Sequence, residues 1–143
     1  MEQRKKIMVQ CIITIPVDKV WNYWTQPRHI MNWNIASEDY YCPSATNDLR
    51  EKGTFSYTMA LKNGTNHAEH KGTYIDIIPQ KLLKYEIEDG RIVTIVFSEQ
   101  GHETEIIQTF EARDNLSVEQ QQKGWNSILQ NFKRYCEDPA TVK

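Results

Sequence analysis

The sequence has no long apolar run, no concentrated basic stripe and no short motif that marks a familiar class of enzyme. A membrane-spanning helix needs roughly 18 consecutive apolar residues, so no membrane span is expected. With 17 basic and 19 acidic residues, the chain has no field that would hold a nucleic-acid backbone. Nucleophile elbows, phosphate loops, dinucleotide fingerprints and paired-cysteine metal motifs are missing too, which weakens hydrolase and nucleotide-dependent functions.

Cysteine is scarce, with only Cys11, Cys42 and Cys136 at distant positions. An odd number of cysteines without metal-ligand spacing is typical of free thiols in a reducing compartment. The first residues are polar and basic, but the short apolar run after them lacks a small-residue cleavage site, so no secretory signal is predicted. We therefore expect a cytoplasmic protein with no metal and no cofactor.

The length of 143 residues fits a single domain, with its core predicted at about residues 7–136. Apolar residues make up 39% of the chain, slightly below the usual share even when glycine is added. Such a composition indicates either a modest core or a hollow, partly polar one.

The first third of the chain predicts a strand and then helices. Residues 7–15 are rich in Ile and Val and are interpreted as a strand. The next apolar residues share one face of a helix that Pro27 ends; they are Val17, Val20, Trp21 and Trp24. Ile30 and Trp33, three apart, indicate a short second helix, and residues 34–50 are predicted to be a loop.

From Gly53 onward the apolar pattern changes to the period of two that is typical of half-buried strands. The alternating residues are Phe55, Tyr57, Met59 and Leu61, before an Asn63-Gly64 turn. Further strands are predicted at about 72–78, 82–88, 92–99 and 103–111, with turn residues between them. Short turns force sequential neighbours to pair, so this region predicts an antiparallel meander.

The last predicted element is a long amphipathic helix. Ser117 and Gln120 have the spacing of a capping box at its start, and Asp138-Pro139 ends it. Its apolar face consists of Trp125, Ile128, Leu129, Phe132 and Tyr135. This face needs a sheet to cover it, which predicts an α+β fold, and the final four residues are predicted to be disordered.

Four short patterns, in the order of the predicted elements, carry a resemblance to a known family. They are Ile15-Pro16-Val17 with Val20-Trp21, Thr25-Gln26-Pro27 followed by Trp33, Gly72 with Ile77 and Pro79, and Gly124-Trp125 followed by Leu129 and Tyr135. From about Ile7 to Tyr135, the chain resembles the START-like (SRPBCC) helix-grip superfamily of lipid-binding domains, polyketide cyclases and plant pollen allergens. Within it, the chain is most similar to the activator-homologue family named after the ATPase activator of the ninety-kilodalton heat-shock chaperone. Two residues depart from the pattern: Gln26, where Asp is frequent, and Gln108, where an apolar residue is frequent.

The resemblance implies a curved antiparallel sheet of about six strands around the long C-terminal helix, with two short helices after the first strand. It also implies a cavity between the sheet and that helix. A strongly curved sheet cannot follow a straight helix closely along its whole length, and ligand sites favour such concave places. We therefore expect a hydrophobic or aromatic metabolite, or a lipid-like molecule, to bind there.

The candidate ligand-binding residues are mostly amphipathic rings, which bury apolar area while keeping one polar atom that needs a partner. They are Trp24, Trp33, Phe55, Tyr57, Met59, Tyr74, Tyr85, Gln108, Phe110, Trp125 and Leu129. Ordinary core packing is the alternative for each ring. Gln108 shares a strand face with Ile106 and Phe110, so its amide should point inward and needs a partner from the protein, water or a ligand.

Two further features carry expectations. Gly124 lies inside the long helix, where glycine costs roughly 1 kcal/mol relative to alanine, so a close approach by the sheet or by a ligand is expected there. His67, Glu69 and His70 are the nearest approach to a metal cluster, but on a strand His70 faces away from the other two, and a solvated hairpin is predicted.

Two other functions stay open. The resemblance also implies an interaction protein that stimulates a chaperone ATPase, or an enzyme similar to polyketide cyclases. Without a catalytic motif, catalysis is the less expected of these. The expected partners are a hydrophobic small molecule or a chaperone, and the protein is expected to be a monomer or a homodimer.

Overall fold

The computed structural model describes residues 5–35, 37–64 and 67–142, except for the side chain of Val142. In chain order the elements are β1 (Lys6–Ile13), α1 (Val17–Thr25), α2 (Pro27–Trp33), β2 (Tyr40–Asn47), β3 (Thr54–Leu61), β4 (His67–Ile78), β5 (Leu82–Ile87), β6 (Ile92–Gln100), β7 (Glu103–Glu111), α3 (Val118–Glu137) and α4 (Pro139–Val142). The predicted helix-grip α+β fold is confirmed, including two short helices after the first strand.

The strands form one curled antiparallel sheet in the order β1-β7-β6-β5-β4-β3-β2. Strands β2 to β7 each pair with their neighbour in the sequence, because short turns connect most of them. Strand β1 pairs with β7 at the far edge, where Ile7 lies opposite Phe110. The sheet is therefore the predicted meander closed at one edge by the first strand.

The sheet has seven strands rather than about six, because residues 34–50 were wrongly predicted to be only a loop. Strand β2 lies at the sheet edge, and a bulge between Tyr41 and Ser44 interrupts its pairing with β3. Of its eight residues only Cys42 is buried. Pro43, within the bulge, is tolerated there because edge strands do not need every backbone donor. A strand with one buried residue has no apolar alternation to detect.

Helix α3 begins as the sequence predicts. The Ser117 hydroxyl accepts a hydrogen bond from the Gln120 backbone N–H at 3.1 Å, and the Gln120 side chain accepts one from the Ser117 N–H at 3.3 Å. This reciprocal pair satisfies two of the donors that a helix start leaves free. The prediction of disorder after α3 is wrong for residues 140–142, because Pro139 ends one helix and begins the short helix α4.

The C-terminal half of α3 is packed tightly against the first two helices. The Phe132 ring is fully buried, with its centroid 4.7 Å from that of Trp24 and 4.8 Å from that of Trp33. Leu129 and Cys136 are buried on the same helical face. One end of the space between sheet and helix is thus solid. No helix in the described ranges is long and apolar enough to cross a membrane.

Candidate ligand-binding cavity

A cavity of about 390 Å³ lies between the concave face of the sheet and the N-terminal half of α3. Strands β3, β4, β5 and β7 contribute its wall, Trp24 and Trp33 lie at its packed end, and α3 covers it from Gln120 to Ile128. Its size is within the roughly 300–1,000 Å³ of small-molecule sites. The helix therefore lies in the groove of the sheet without filling it.

The structure brings eight of the eleven candidate residues to this cavity: Trp24, Trp33, Tyr57, Met59, Tyr74, Tyr85, Gln108 and Trp125. Phe55, Phe110 and Leu129 do not line it. Phe110 stacks against Trp125 with ring centroids 4.0 Å apart, and Leu129 is in the packed core. The Phe55 ring lies over the backbone of β4 at Gly72, where an added Cβ would come within 2.7 Å of it. These three residues pack behind the residues that line the cavity. Ligand contact by the other eight stays a prediction.

Three tyrosines on neighbouring strands form a polar wall. Tyr74 lies directly opposite Tyr85 in the pairing of β4 with β5, so their side chains emerge on the same face. The Tyr74 hydroxyl donates to Oδ1 of Asn47 at 2.6 Å, and the Tyr57 hydroxyl hydrogen-bonds to Tyr74. Burial raises the pKa of Tyr74 to about 12 and also raises the pKa values of Tyr57 and Tyr85. All three phenols are therefore neutral at pH 7.

His70 faces the cavity, and its assignment to a solvated hairpin was wrong. Its Nε2 lies 3.3 Å from the Tyr85 hydroxyl, and its ring centroid is 5.6 Å from that of Trp125. Burial, with the nearby positive charge of Arg91, lowers the pKa of His70 to about 4. His67 and Glu69 are exposed on the sheet, as the alternation requires. The sequence pattern separated His70 from the other two residues but did not show which face is inside.

Gln108 points inward, as predicted, and is only 6% exposed. Its strand neighbours across the sheet are Val9 and Ile95, neither of which has a polar side chain. Within the described residues, no side chain or backbone group forms a hydrogen bond with the Gln108 amide, which borders the cavity.

The rim of the cavity consists of a short loop and the first turns of α3. Buried Gln121 holds this loop: its amide accepts a hydrogen bond from the Arg113 N–H at 2.7 Å and donates to the carbonyls of Arg113 and Leu116 at 3.1 and 3.0 Å. Arg91 is tied down as well, since its Nε lies 2.8 Å from the Asp89 carboxylate. Neither Gln121 nor Arg91 was among the predicted site residues, because only the folded loop shows what they hold.

Gly124 also lies at the cavity, and close packing against the sheet does not explain it. A Cβ added there would meet nothing within 4 Å. The glycine instead leaves open space beside the rim, between Gln120 and Ile128.

A family comparison agrees with the fold. The model for the family described as "Activator of Hsp90 ATPase homolog 1-like protein" matches residues 14–137. The chain belongs to this family. The matched segment of this AHSA1-like chain extends from the end of β1 through all of α3, so it includes every element that lines the cavity.

Solved structures of similar proteins share the same architecture. An AHSA1-like protein from Aeromonas hydrophila is 34% identical, with a TM-score of 0.91 over 97% of this chain and 96% of that one. A protein from Cytophaga hutchinsonii is 42% identical, with a TM-score of 0.80 over 92% of each chain. A Chromobacterium violaceum protein, 18% identical with a TM-score of 0.82 over 93% of this chain and 97% of its own, shares the fold. The sequence has no match among the curated proteins.

Proposed function

We propose that this AHSA1-like protein binds an apolar or aromatic small molecule in the cavity between the sheet and α3. The observation that supports this most strongly is the contrast between the two halves of α3. Around Phe132 the rings pack against one another at centroid distances below 5 Å. Around Trp125 and Gly124 the same helix borders an open space of about 390 Å³.

An open space of this kind costs stability, because the atoms that line it lack packing partners on one side. Natural proteins keep such local inconsistencies mainly at functional sites. A guest with an apolar surface would restore the missing contacts with Trp24, Tyr57 and Trp125. Its uptake would therefore stabilise the folded protein.

The test is uptake of the neutral apolar dye N-phenyl-1-naphthylamine, together with native mass spectrometry of protein purified without detergent. We expect the dye's fluorescence to rise and saturate at one dye per chain. We also expect native spectra to show an added mass that acid denaturation releases. If the dye stays dim at high protein concentration and native spectra show only the bare chain, the proposal fails.

A second candidate function is an interaction with a chaperone ATPase, which the printed description of the family supports. Adding the protein at micromolar concentration to the Hsp90-type chaperone of the same organism should then change its rate of ATP hydrolysis. An unchanged rate would remove this candidate. For either function we propose a cytoplasmic location, because three unpaired cysteines suit a reducing compartment.

A further inference from the structure

The amide of Gln108 is a polar group in an apolar part of the cavity wall. It projects from β7 between the apolar residues Val9 and Ile95 of the neighbouring strands. The residue is 94% buried, since only 6% of it is exposed, and the described part of the chain gives the amide no hydrogen-bond partner. The amide borders the cavity, so a guest that supplies a hydrogen-bond partner is favoured over one that covers the amide and leaves it without any.

Several other polar groups of the lining are already paired, although the Nδ2 of Asn34, which follows Trp33 in the chain, is buried without a partner among the described residues. The Tyr74 hydroxyl donates to Asn47, and the His70 ring is within hydrogen-bond distance of the Tyr85 hydroxyl. The Arg91 guanidinium contacts the Asp89 carboxylate and donates to the carbonyl of Glu111 at 3.3 Å. Gln108 thus differs from these paired groups in having its hydrogen-bonding capacity available.

The buried part of the lining that the structure describes offers no unpaired charge to a ligand, because the Arg91 guanidinium is bound to the Asp89 carboxylate. Burial keeps the imidazole of His70 neutral at pH 7, and it keeps the phenols of Tyr57 and Tyr85 protonated. Arg91 is buried and already bound to Asp89, and the other charged residues of the lining, Glu69 and Arg113, are exposed. An ionised group that entered past them would lose its hydration without gaining an ion pair, which is strongly unfavourable.

From these observations we infer that Gln108 determines specificity and that the cavity selects uncharged aromatic molecules carrying a carbonyl, lactam or hydroxyl group. This inference rests on the proposed function. A glutamine amide presents a donor and an acceptor side by side, so a lactam can pair with both at once. The apolar remainder of such a molecule would lie against Trp125 and Leu83, which also line the cavity.

Three probes of similar shape test the inference by isothermal titration calorimetry at pH 8: 2-quinolinone, naphthalene and naphthalene-2-carboxylate. We expect the lactam to bind the wild-type protein about tenfold more tightly than naphthalene, since a satisfied buried amide is worth about this factor. The carboxylate should bind more weakly than either neutral probe. In Gln108→Leu, lactam affinity should fall about tenfold while naphthalene binds as well as before or better.

The matched control is Gln100→Leu, which makes the same change at an exposed strand end away from the cavity. It should leave all three affinities unchanged. Gln108→Met, which keeps the length of the side chain, repeats the test if the leucine variant does not fold. Both Gln108 variants should keep or raise the melting temperature, because the amide they replace has no hydrogen bond to the described residues that could be lost.

The outcomes separate this inference from the function on which it rests. If naphthalene and the lactam bind equally well, and Gln108→Leu changes neither, the selectivity is overturned while the cavity still binds apolar guests. Tight binding of the carboxylate would overturn the exclusion of charge. If none of the three probes binds, the receptor function fails and the inference fails with it.

Discussion

Gly124→Trp is expected to abolish uptake of N-phenyl-1-naphthylamine while the protein stays folded. Position 124 faces open space beside the cavity rim, with no atom within 4 Å of an added Cβ. Gly124 is exposed and borders the cavity, so a large ring at this position can lie over the cavity opening without displacing sheet backbone. It would then block the entry of a guest. Dye fluorescence measures the loss of binding.

Gly124→Ala is the matched control, because it adds only a methyl group at the same site. It should raise the free energy of unfolding by about 1 kcal/mol through better helix propensity and should keep dye binding. Chemical denaturation measures the first effect. Full dye binding by the tryptophan variant would show that the guest enters elsewhere, and failure of both variants to fold would show that Gly124 has a packing role.

Acidification is expected to destabilise the protein through His70. Burial lowers the pKa of His70 in the folded protein to about 4, whereas an unfolded histidine titrates near 6.5. Between these two values the unfolded chain binds more protons than the folded one, so the free energy of unfolding decreases as the pH falls. The contribution of His70 is fully present above about pH 6.5 and should decline by roughly 2–3 kcal/mol by pH 4.

Two histidine variants isolate this effect from the carboxylates that titrate in the same range. His70→Gln should show a smaller loss of stability between pH 7 and pH 4.5 than the wild type. His67→Gln, at an exposed position of the same strand, should behave like the wild type. Urea denaturation at the two pH values gives the comparison. An equal pH dependence in all three proteins would mean that His70 is not enclosed as the structure shows.

The elements that the sequence predicts well are those with a one-sided apolar pattern. Strand β3 alternates buried and half-buried residues from Phe55 to Thr58, and α3 shows both its capping box and its apolar face. Strand β2 escaped prediction because its edge position and its bulge leave only Cys42 buried. Periodicity detects burial, so an element that buries little has no signal.

For the candidate site, the sequence predicts which residues share one face of a strand, but not which faces of different strands meet. The inward orientation of Gln108 follows from Ile106 and Phe110 beside it on β7, and the structure confirms it. His70 faces inside because the pairing of β4 with β3 places His70 opposite Tyr57. This register is set by the folded sheet and cannot be read from the sequence of β4 alone. Likewise, Phe110 and Trp125 are both aromatic and were both predicted to face inward. Only the structure shows that their rings stack and that Trp125, not Phe110, lines the cavity.

The four tryptophans give the most direct test of the claim that α3 leaves an accessible hollow in the sheet. Trp24, Trp33 and Trp125 line the cavity, whereas Trp21 packs its ring against Phe97, 5.2 Å away between centroids, and is not part of the lining. In a ¹H–¹⁵N spectrum of the folded protein, N-phenyl-1-naphthylamine should shift the indole signals of the first three and leave that of Trp21 in place. If saturating dye moves none of the four signals, or moves only that of Trp21, no guest enters between the sheet and the helix.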